Sequence, residues 1–197
     1  MNTSQAGGVH RCFFAVRFAP HIEEYLARLI ADLRRHGGGV RWVPRENLHL
    51  TLRFLGEITD SQLEHAMGMP DLGGLHGPFT VRARGLGAFP LMRAPRVLWA
   101  GVEGETQRDT DHLLSLQKHT ERWAGELGLV PERRSYSPHI TLGRVTPPFD
   151  GLKKLMDDVI GRECLSGYGT VEELLLMRSK LSGGPAAYEV ARRWRLG

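Results

Sequence analysis

The most informative part of the chain reads NLHLTLRFLG, residues 47–56. Taken two residues at a time, one face carries Leu48, Leu50, Leu52 and Phe54, and the other carries His49, Thr51 and Arg53. Successive side chains of a β-strand point to opposite faces, so this alternation predicts a half-buried strand. The apolar face would hold the strand to a core, while the three polar side chains point together into a shared space.

The same alternating pattern recurs in PHITLGRV, residues 138–145. Ile140 and Leu142 are predicted to face inward, and His139 and Thr141 outward. A single His-x-Thr strand is common on protein surfaces and carries little weight alone. Two such strands, each in an alternating context, predict two similar halves that each present one imidazole and one hydroxyl to a site between them.

Two arginines follow these motifs. Arg53 shares the face of His49 and Thr51 and would add a fixed positive charge to the site. Strict alternation places Arg144 inward, so it reaches the site only if Gly143 ends or kinks the strand.

The remaining elements follow from similar patterns. We predict a disordered leader over residues 1–10 and a single domain over residues 11–197. The first motif strand should end at Gly56, and the last two strands should join across residues 183–185. Strands are expected around 12–16, 79–84, 96–102, 171–177 and 187–193, with long helices starting at Pro20 and spanning Thr106 to Leu127.

The strands alternate in polarity, which favours antiparallel sheets with one open face. The predicted fold class is therefore α+β. We expect a bilobal molecule, with two pseudo-duplicated lobes of antiparallel sheet, helices on the outside, and a central cleft carrying the two His-x-Thr motifs.

Composition sets broad limits. Of 197 residues, 41% are hydrophobic and 24% charged, a balance typical of globular proteins that argues against disorder. The net charge of +4 is compatible with a phosphate-bearing ligand without requiring one. Two cysteines make no disulfide framework, and neither a secretory signal nor a membrane-length apolar run is present. We expect a cytoplasmic monomer without membrane association.

The paired histidines predict acid–base chemistry. Free imidazole has a pKa of about 6.5, so near neutral pH one histidine can act as the base and the other as the acid. Such a pair can move protons onto and off a phosphodiester, while the Thr51 and Thr141 hydroxyls donate to its non-bridging oxygens. Zinc motifs, glycine-rich phosphate loops and serine nucleophile elbows are absent from the sequence. We therefore predict a site with no metal and no cofactor.

The motifs and their surroundings resemble the two-histidine (2H) phosphoesterase superfamily, specifically the RNA 2′,3′-cyclic phosphodiesterases, also called LigT-like proteins or 2′-5′ RNA ligases. The likeness covers about residues 11–193, and Gly143 departs from it where members often carry alanine. The similar segments, in the family's order, are RCFFAV at 11–16, FP at 89–90, PRVLWAG at 95–101, ERR at 132–134, SKL at 179–181, Gly184-Pro185 and Tyr188.

The resemblance implies hydrolysis of a 2′,3′-cyclic phosphate at an RNA 3′ end, leaving a 2′-phosphomonoester. His139 would activate the attacking water and His49 would protonate the departing 3′-oxygen, although the residues alone leave the two roles interchangeable. Thr51, Thr141 and Arg144 would hold the phosphate oxygens.

A base can stack on an aromatic ring, and Phe14 and Tyr136 are the candidates for this contact. Phe13 and Phe14 point to opposite faces of their strand, so only one of them can serve.

Three alternatives remain open. The substrate could be an RNA 3′ end, a small cyclic nucleotide such as ADP-ribose 1″,2″-cyclic phosphate, or a 2′-5′-linked oligonucleotide. The same proton chemistry run backwards would ligate a ribose 5′-hydroxyl to the cyclic phosphate. A non-catalytic module that binds RNA ends or nucleotides would use the same cleft without turnover.

Overall fold

The computed structural model describes residues 8–74, 76–180 and 187–197. Within these ranges the chain forms one antiparallel sheet and four helices. The helices are α1 (Pro20–Leu33), α2 (Asp60–Met67), α3 (Gln107–Glu126) and α4 (Leu152–Gly161). The strands are β1 (Val9–Val16), β2 (Val40–Trp42), β3 (Leu50–Thr59), β4 (Phe79–Leu91), β5 (Ala94–Gly104), β6 (His139–Val145), β7 (Gly169–Val171), β8 (Glu173–Lys180) and β9 (Ala187–Arg195).

The sheet consists of two similar groups of strands. Its order is β7-β4-β5-β6-β3-β1-β8-β9, with β2 paired to β6. One group is therefore β3-β1-β8-β9 and the other is β6-β5-β4-β7. They meet between β3 and β6, where Leu50 pairs with Ile140. Each half runs from a strand through a long helix to a His-x-Thr strand, so the predicted α+β fold with two antiparallel halves is confirmed.

The two faces of the sheet differ. The helices cover one face, where Ile22 of α1, Leu113 of α3 and Phe14 of β1 belong to one large core. The other face carries a small apolar cluster made of Phe13, Ala15, Leu175 and Met177. The helix-covered side therefore supplies most of the buried apolar area, and the second face is available for a site.

Strand β1 begins earlier than the sequence indicates. Val9 and His10 pair with Thr59 and Ile58, and His10 Nε2 lies 2.6 Å from Asp60 Oδ1. The prediction of a leader through residue 10 is therefore wrong at its end, because these two residues belong to the sheet. Residues 1–7 lie outside the described part of the chain.

Strand β3 passes through Gly56 and contains two bulges. Ala15, Phe14 and Phe13 pair with Thr51, Arg53 and Phe54, which leaves Leu52 as an extra residue. Leu55 is a second extra residue, because the next pair joins Cys12 to Gly56. A bulge reverses the alternation beyond it. The predicted strand end at Gly56 is wrong, since β3 continues to Thr59.

The C-terminal strands also differ in detail. Val171 belongs to β7, which pairs with β4, whereas β8 starts at Glu173. The predicted turn at residues 183–185, and with it part of the closing segment of the family resemblance, lies outside the described residues. No helix in the described ranges combines the length and the hydrophobicity needed to cross a bilayer.

Candidate active site

The two His-x-Thr motifs meet at the junction of the two halves. Leu50 and Ile140 pair across this junction, and both are fully buried on the helix-covered face. In an antiparallel pair, one step either way brings His49 opposite Thr141 and Thr51 opposite His139. All four of these side chains are partly exposed. The register therefore gathers two imidazoles and two hydroxyls on the open face of the sheet, which we call the groove face.

Both imidazoles are held in the same way. The Nδ1 atom of His49 lies 2.7 Å from the carbonyl oxygen of Asn47, and the Nδ1 atom of His139 lies 2.7 Å from that of Ser137. A carbonyl oxygen only accepts, so Nδ1 carries the proton in each ring. The Nε2 atom is therefore the one free to gain or lose a proton, in both histidines.

Aromatic side chains support each imidazole. The His49 ring stacks on Phe13 with centroids 4.8 Å apart and meets Tyr188 edge-on at 5.4 Å. The His139 ring meets Phe89 edge-on at 5.0 Å, and Trp99 lies 6.3 Å away. These contacts fix the two ring planes. Sequence reasoning assigned none of these four aromatics to the site, although alternation along β1 places Phe13 opposite in direction to Phe14.

Burial of the His49 ring lowers its pKa below the ordinary value for histidine. The hydrogen bond to the Asn47 carbonyl acts the other way, while the charges of Arg17 and His139 lower the pKa further. Arg17, which sequence reasoning also missed, is held by Glu23 through a 2.8 Å contact from Nη2. A proton on His139 would therefore oppose a second proton on His49.

A bulge places Arg144 on the groove face. Leu98 pairs with Gly143 and Trp99 with Thr141, so Leu142 is an extra residue in β6. Arg144 then pairs with Val97, which shares the face of Trp99 on β5. Arg144 is therefore exposed on the same face as Thr141. The strand is distorted next to Gly143, which was the condition for Arg144 to reach the site.

The bulge at Leu52 has the opposite effect on Arg53. Arg53 pairs with Phe14, on the helix-covered face, and its side chain is only 10% exposed. Its Nε lies 2.8 Å from Glu121 Oε2, and its two terminal nitrogens donate to the carbonyls of Phe54 and Val130. The prediction that Arg53 binds substrate is wrong, because its side chain is largely buried on the helix-covered face, where it contacts Glu121 and two backbone carbonyls.

The prediction that Phe14 stacks on a base is also wrong. Phe14 is 0% exposed and packs between Trp123 and Trp194 in the large core, so it has no access to a base. Phe54, predicted to face the core, is instead 61% exposed and lies 5.7 Å from Phe13. The bulge at Leu52 turns Phe54 to the groove face beside the Phe13–His49 stack.

Tyr136 lies next to the site but is largely committed to the protein. Its hydroxyl donates to the carbonyl oxygen of Thr51 at 3.0 Å, and burial raises its pKa. It therefore ties the segment before His139 to the first motif. Its predicted stacking on a base stays a prediction.

Metal ligands were not expected from the sequence. Among the described residues, no group of three or more His, Cys, Asp and Glu side chains is arranged to hold a metal ion. Independence from metals stays a prediction for chelation to test.

Comparisons with known proteins agree on one family. A model described as LigT like phosphoesterase matches residues 16–99. RNA 2′,3′-cyclic phosphodiesterases of Aquifex aeolicus and Methanothermobacter thermautotrophicus are 30% and 34% identical, with 94% of this chain and 95% and 98% of theirs covered. A Thermus thermophilus structure has a TM-score of 0.77 at 28% identity, covering 94% of this chain and 97% of that one. E. coli LigT complexed with 3′-AMP has a TM-score of 0.70 at 26% identity, covering 96% and 99%.

Proposed function

The chain belongs to the LigT-like phosphoesterase family, and on that premise we propose that it hydrolyses 2′,3′-cyclic phosphate ends of RNA to 2′-phosphomonoesters. One observation carries this proposal. His49 and His139 lie on the groove face at the junction of the two halves, each with its Nδ1 proton held by a backbone carbonyl. Two Nε2 atoms are then available to one ligand, as a reaction needing both an acid and a base requires.

The reaction divides into two proton transfers. Nε2 of His139 takes a proton from water as the water oxygen bonds to phosphorus. The bond from phosphorus to the 3′-oxygen breaks, and Nε2–H of His49 gives its proton to that oxygen. Both Nδ1 protons stay on their rings and donate to the carbonyls of Asn47 and Ser137, so neither ring needs to turn during the reaction.

The groups beside the histidines suit a phosphate. The hydroxyls of Thr51 and Thr141 donate to the non-bridging oxygens, and each lies opposite the imidazole of the other half. Arg144 adds the fixed positive charge of a guanidinium. Together they stabilise the negative charge that builds up on the phosphate oxygens in the transition state.

Burial makes protonated His49 a stronger acid and also lowers the fraction of the ring that is protonated in the free protein. A group with a lower pKa holds its proton less tightly and transfers it more readily to the leaving oxygen. The bound phosphodiester is anionic and favours the protonated imidazole, which offsets the effect of burial when substrate is present.

The terminal base is proposed to stack on Phe54. This ring is exposed beside the Phe13–His49 stack, whereas Phe14 is enclosed in the core. Ligation would use the same groups in the same roles, with Nε2 of His139 taking the proton of a ribose 5′-hydroxyl in place of water and His49 again protonating the departing 3′-oxygen. The product would then contain a 2′-5′ linkage.

The experiment compares wild type with His49→Ala and His139→Ala on an oligoribonucleotide ending in a 2′,3′-cyclic phosphate, in excess EDTA. His65→Ala is the matched control, because His65 is exposed on α2. We expect a 2′-phosphate product from wild type and from the control, with turnover reduced about 10²- to 10⁴-fold in each active-site variant.

Several results would contradict the proposal. Complete inactivation by EDTA that a divalent ion restores would require a metal. A 3′-phosphate product would show that the 2′-oxygen leaves and takes the proton, in place of the 3′-oxygen. Binding of the RNA end without turnover by wild type would favour the non-catalytic alternative, and turnover only of 2′-5′-linked or other cyclic nucleotides would change the substrate.

A further inference from the structure

Two arginines occupy directly paired positions on the groove face. Arg41 of β2 pairs with Arg144 of β6, and both are exposed. Paired residues of neighbouring strands point to the same side, so Arg41 shares the face of Arg144 and Thr141. Among the described residues, neither guanidinium has an ion-pair or hydrogen-bond partner. Two like charges therefore lie side by side without a counter-charge.

This arrangement is exceptional in the sheet. Like charges directly opposite each other destabilise a strand pair, and opposite charges stabilise it. Elsewhere in the described strands, the directly paired charged residues have opposite signs. These pairs are Arg11 with Glu57, Arg82 with Glu103, Glu173 with Arg195, and Arg178 with Glu189. A position that breaks this pattern next to the active site is suited to an anion.

The position along the strand separates Arg41 from the reacting phosphate. Thr141 pairs with Trp99 and Arg144 pairs with Val97, two residues further along β5. The backbone positions of Thr141 and Arg144 are therefore about 7 Å apart. Arg41 lies on the neighbouring strand, about 4.8 Å further across the sheet. A phosphate held by Thr141 and reached by Arg144 would thus leave Arg41 available to a different phosphate.

Another concave region of the surface is less suitable for RNA. A concave region near Arg17 is lined by His21, Tyr168, Glu173 and Arg193, among others. Its arginines are neutralised, because Arg17 contacts Glu23 at 2.8 Å and Arg193 contacts Glu173 at 3.0 Å. The phosphate backbone dominates the affinity of proteins for nucleic acids, so the chain should follow the side with unpaired cations.

We propose that Arg41, set beside Arg144, binds the phosphodiester that joins the terminal nucleotide to the rest of the RNA. The identity of this ligand rests on the proposed function. The site makes the protein prefer an oligoribonucleotide over a cyclic mononucleotide, because only the oligoribonucleotide carries the second phosphate. The repulsion between Arg41 and Arg144 in the free protein is relieved when that phosphate binds.

The test compares Arg41→Gln with Arg108→Gln, which removes the same charge from an exposed position on α3. Binding is measured with a trinucleotide ending in a 2′-phosphate and with the matching nucleoside 2′-monophosphate, over a range of salt concentrations. The ratio of KM values for the two cyclic substrates is measured in parallel.

We expect Arg41→Gln to weaken trinucleotide binding about tenfold more than mononucleotide binding, as loss of one charge-assisted contact predicts. For the trinucleotide, the plot of the logarithm of the binding constant against the logarithm of the salt concentration should become less steep by about 0.7. Without RNA at low salt, the Tm of Arg41→Gln should exceed that of Arg108→Gln by about 2 °C, because a like-charge pair is removed.

Equal weakening of both ligands by Arg41→Gln, or no weakening of either, would overturn the second-phosphate site. An equal loss with Arg108→Gln would show a general charge effect and would overturn it as well. Binding that discriminates between the two ligands in a protein that turns over neither cyclic substrate would uphold the site and contradict the proposed function. The two proposals therefore fail separately.

Discussion

Leu50 and Ile140 pair across the junction between β3 and β6, and both are fully buried. This pair sets the geometry of the active site, because it brings His49 opposite Thr141 and Thr51 opposite His139. Each imidazole thus lies beside the hydroxyl supplied by the other half. A one-residue slip would turn all four polar side chains toward the core, so burial of Leu50 and Ile140 protects the register.

The pH profile should reflect the lowered pKa of His49. Activity requires one proton shared between His49 and His139, and it is lost when both are protonated. Burial opposes the charged form of His49, so the doubly protonated state forms only below the ordinary histidine pKa of about 6.5. The acidic limb of kcat/KM, measured over about pH 4.5 to 9, should therefore have its midpoint below 6.5. A midpoint above 7 would contradict this account.

Loss of the Phe54 ring should affect substrate binding, whereas a smaller residue at Phe14 should affect stability. Phe54→Ala removes an exposed ring, so we expect a rise in KM of about fivefold or more from lost base stacking, with little loss of stability. Phe14→Leu opens a cavity between Trp123 and Trp194 and should lower the free energy of unfolding by about 1–3 kcal/mol. Urea denaturation and kinetics on both variants test this, and an unchanged KM in Phe54→Ala would contradict the stacking role.

Arg53 should contribute to stability. Arg53→Met leaves Glu121 without its partner in a half-buried position, which should lower the free energy of unfolding by about 3 kcal/mol. Adding Glu121→Gln should recover part of this loss, because the two side chains form one interaction. Denaturation of the two single variants and the double variant measures the coupling. A large rise in KM with unchanged stability would instead assign Arg53 to the substrate.

Acid should destabilise the protein through His119. This side chain is 7% exposed, and burial, with the charges of Arg122 and His76, lowers its pKa to about 4. Its Nδ1 accepts from Arg122 at 3.0 Å, so protonation would remove that bond. The unfolded chain binds the proton at about pH 6.5, so stability should fall as pH drops from 6.5 toward 4.

His119→Asn keeps a hydrogen-bond acceptor and removes the titrating group. The pH dependence of its free energy of unfolding in this interval should be smaller than that of wild type, by on the order of 2–3 kcal/mol. Chemical denaturation at several pH values provides the measurement. Parallel curves for the two proteins would contradict the assignment.

Alternation in the sequence was enough to find the two motif strands and the four residues at their centre. It failed at Arg53 and Phe54, which both follow the extra residue Leu52, and it left Arg144 uncertain beyond Leu142. A bulge depends on which residues of the neighbouring strand are paired, and a single sequence does not show this pairing.

The choice between Phe13 and Phe14 failed for a related reason. Both are equally apolar, so composition does not say which one faces the core. The decision depends on α3 and the C-terminal strand, whose Trp123 and Trp194 surround Phe14. Arg41 was missed because the sequence does not show that it pairs with Arg144, and an exposed arginine in a short strand is otherwise common.

The roles of the two histidines are the central claim, and a substrate with sulfur in place of the bridging 3′-oxygen tests them most directly. A thiol has a pKa of about 8.5, so a thiolate departs without needing a proton, whereas an alkoxide needs one. A variant that lacks only the acid should therefore recover on the sulfur substrate, and a variant that lacks the base should not.

We predict that His49→Ala hydrolyses the sulfur substrate at a rate near that of wild type, while His139→Ala stays about 10²-fold or more slower. On the oxygen substrate both variants should be strongly impaired. Recovery of His139→Ala instead would reverse the two roles. Recovery of neither variant would contradict proton donation by His49 and, with it, the acid–base account of this site.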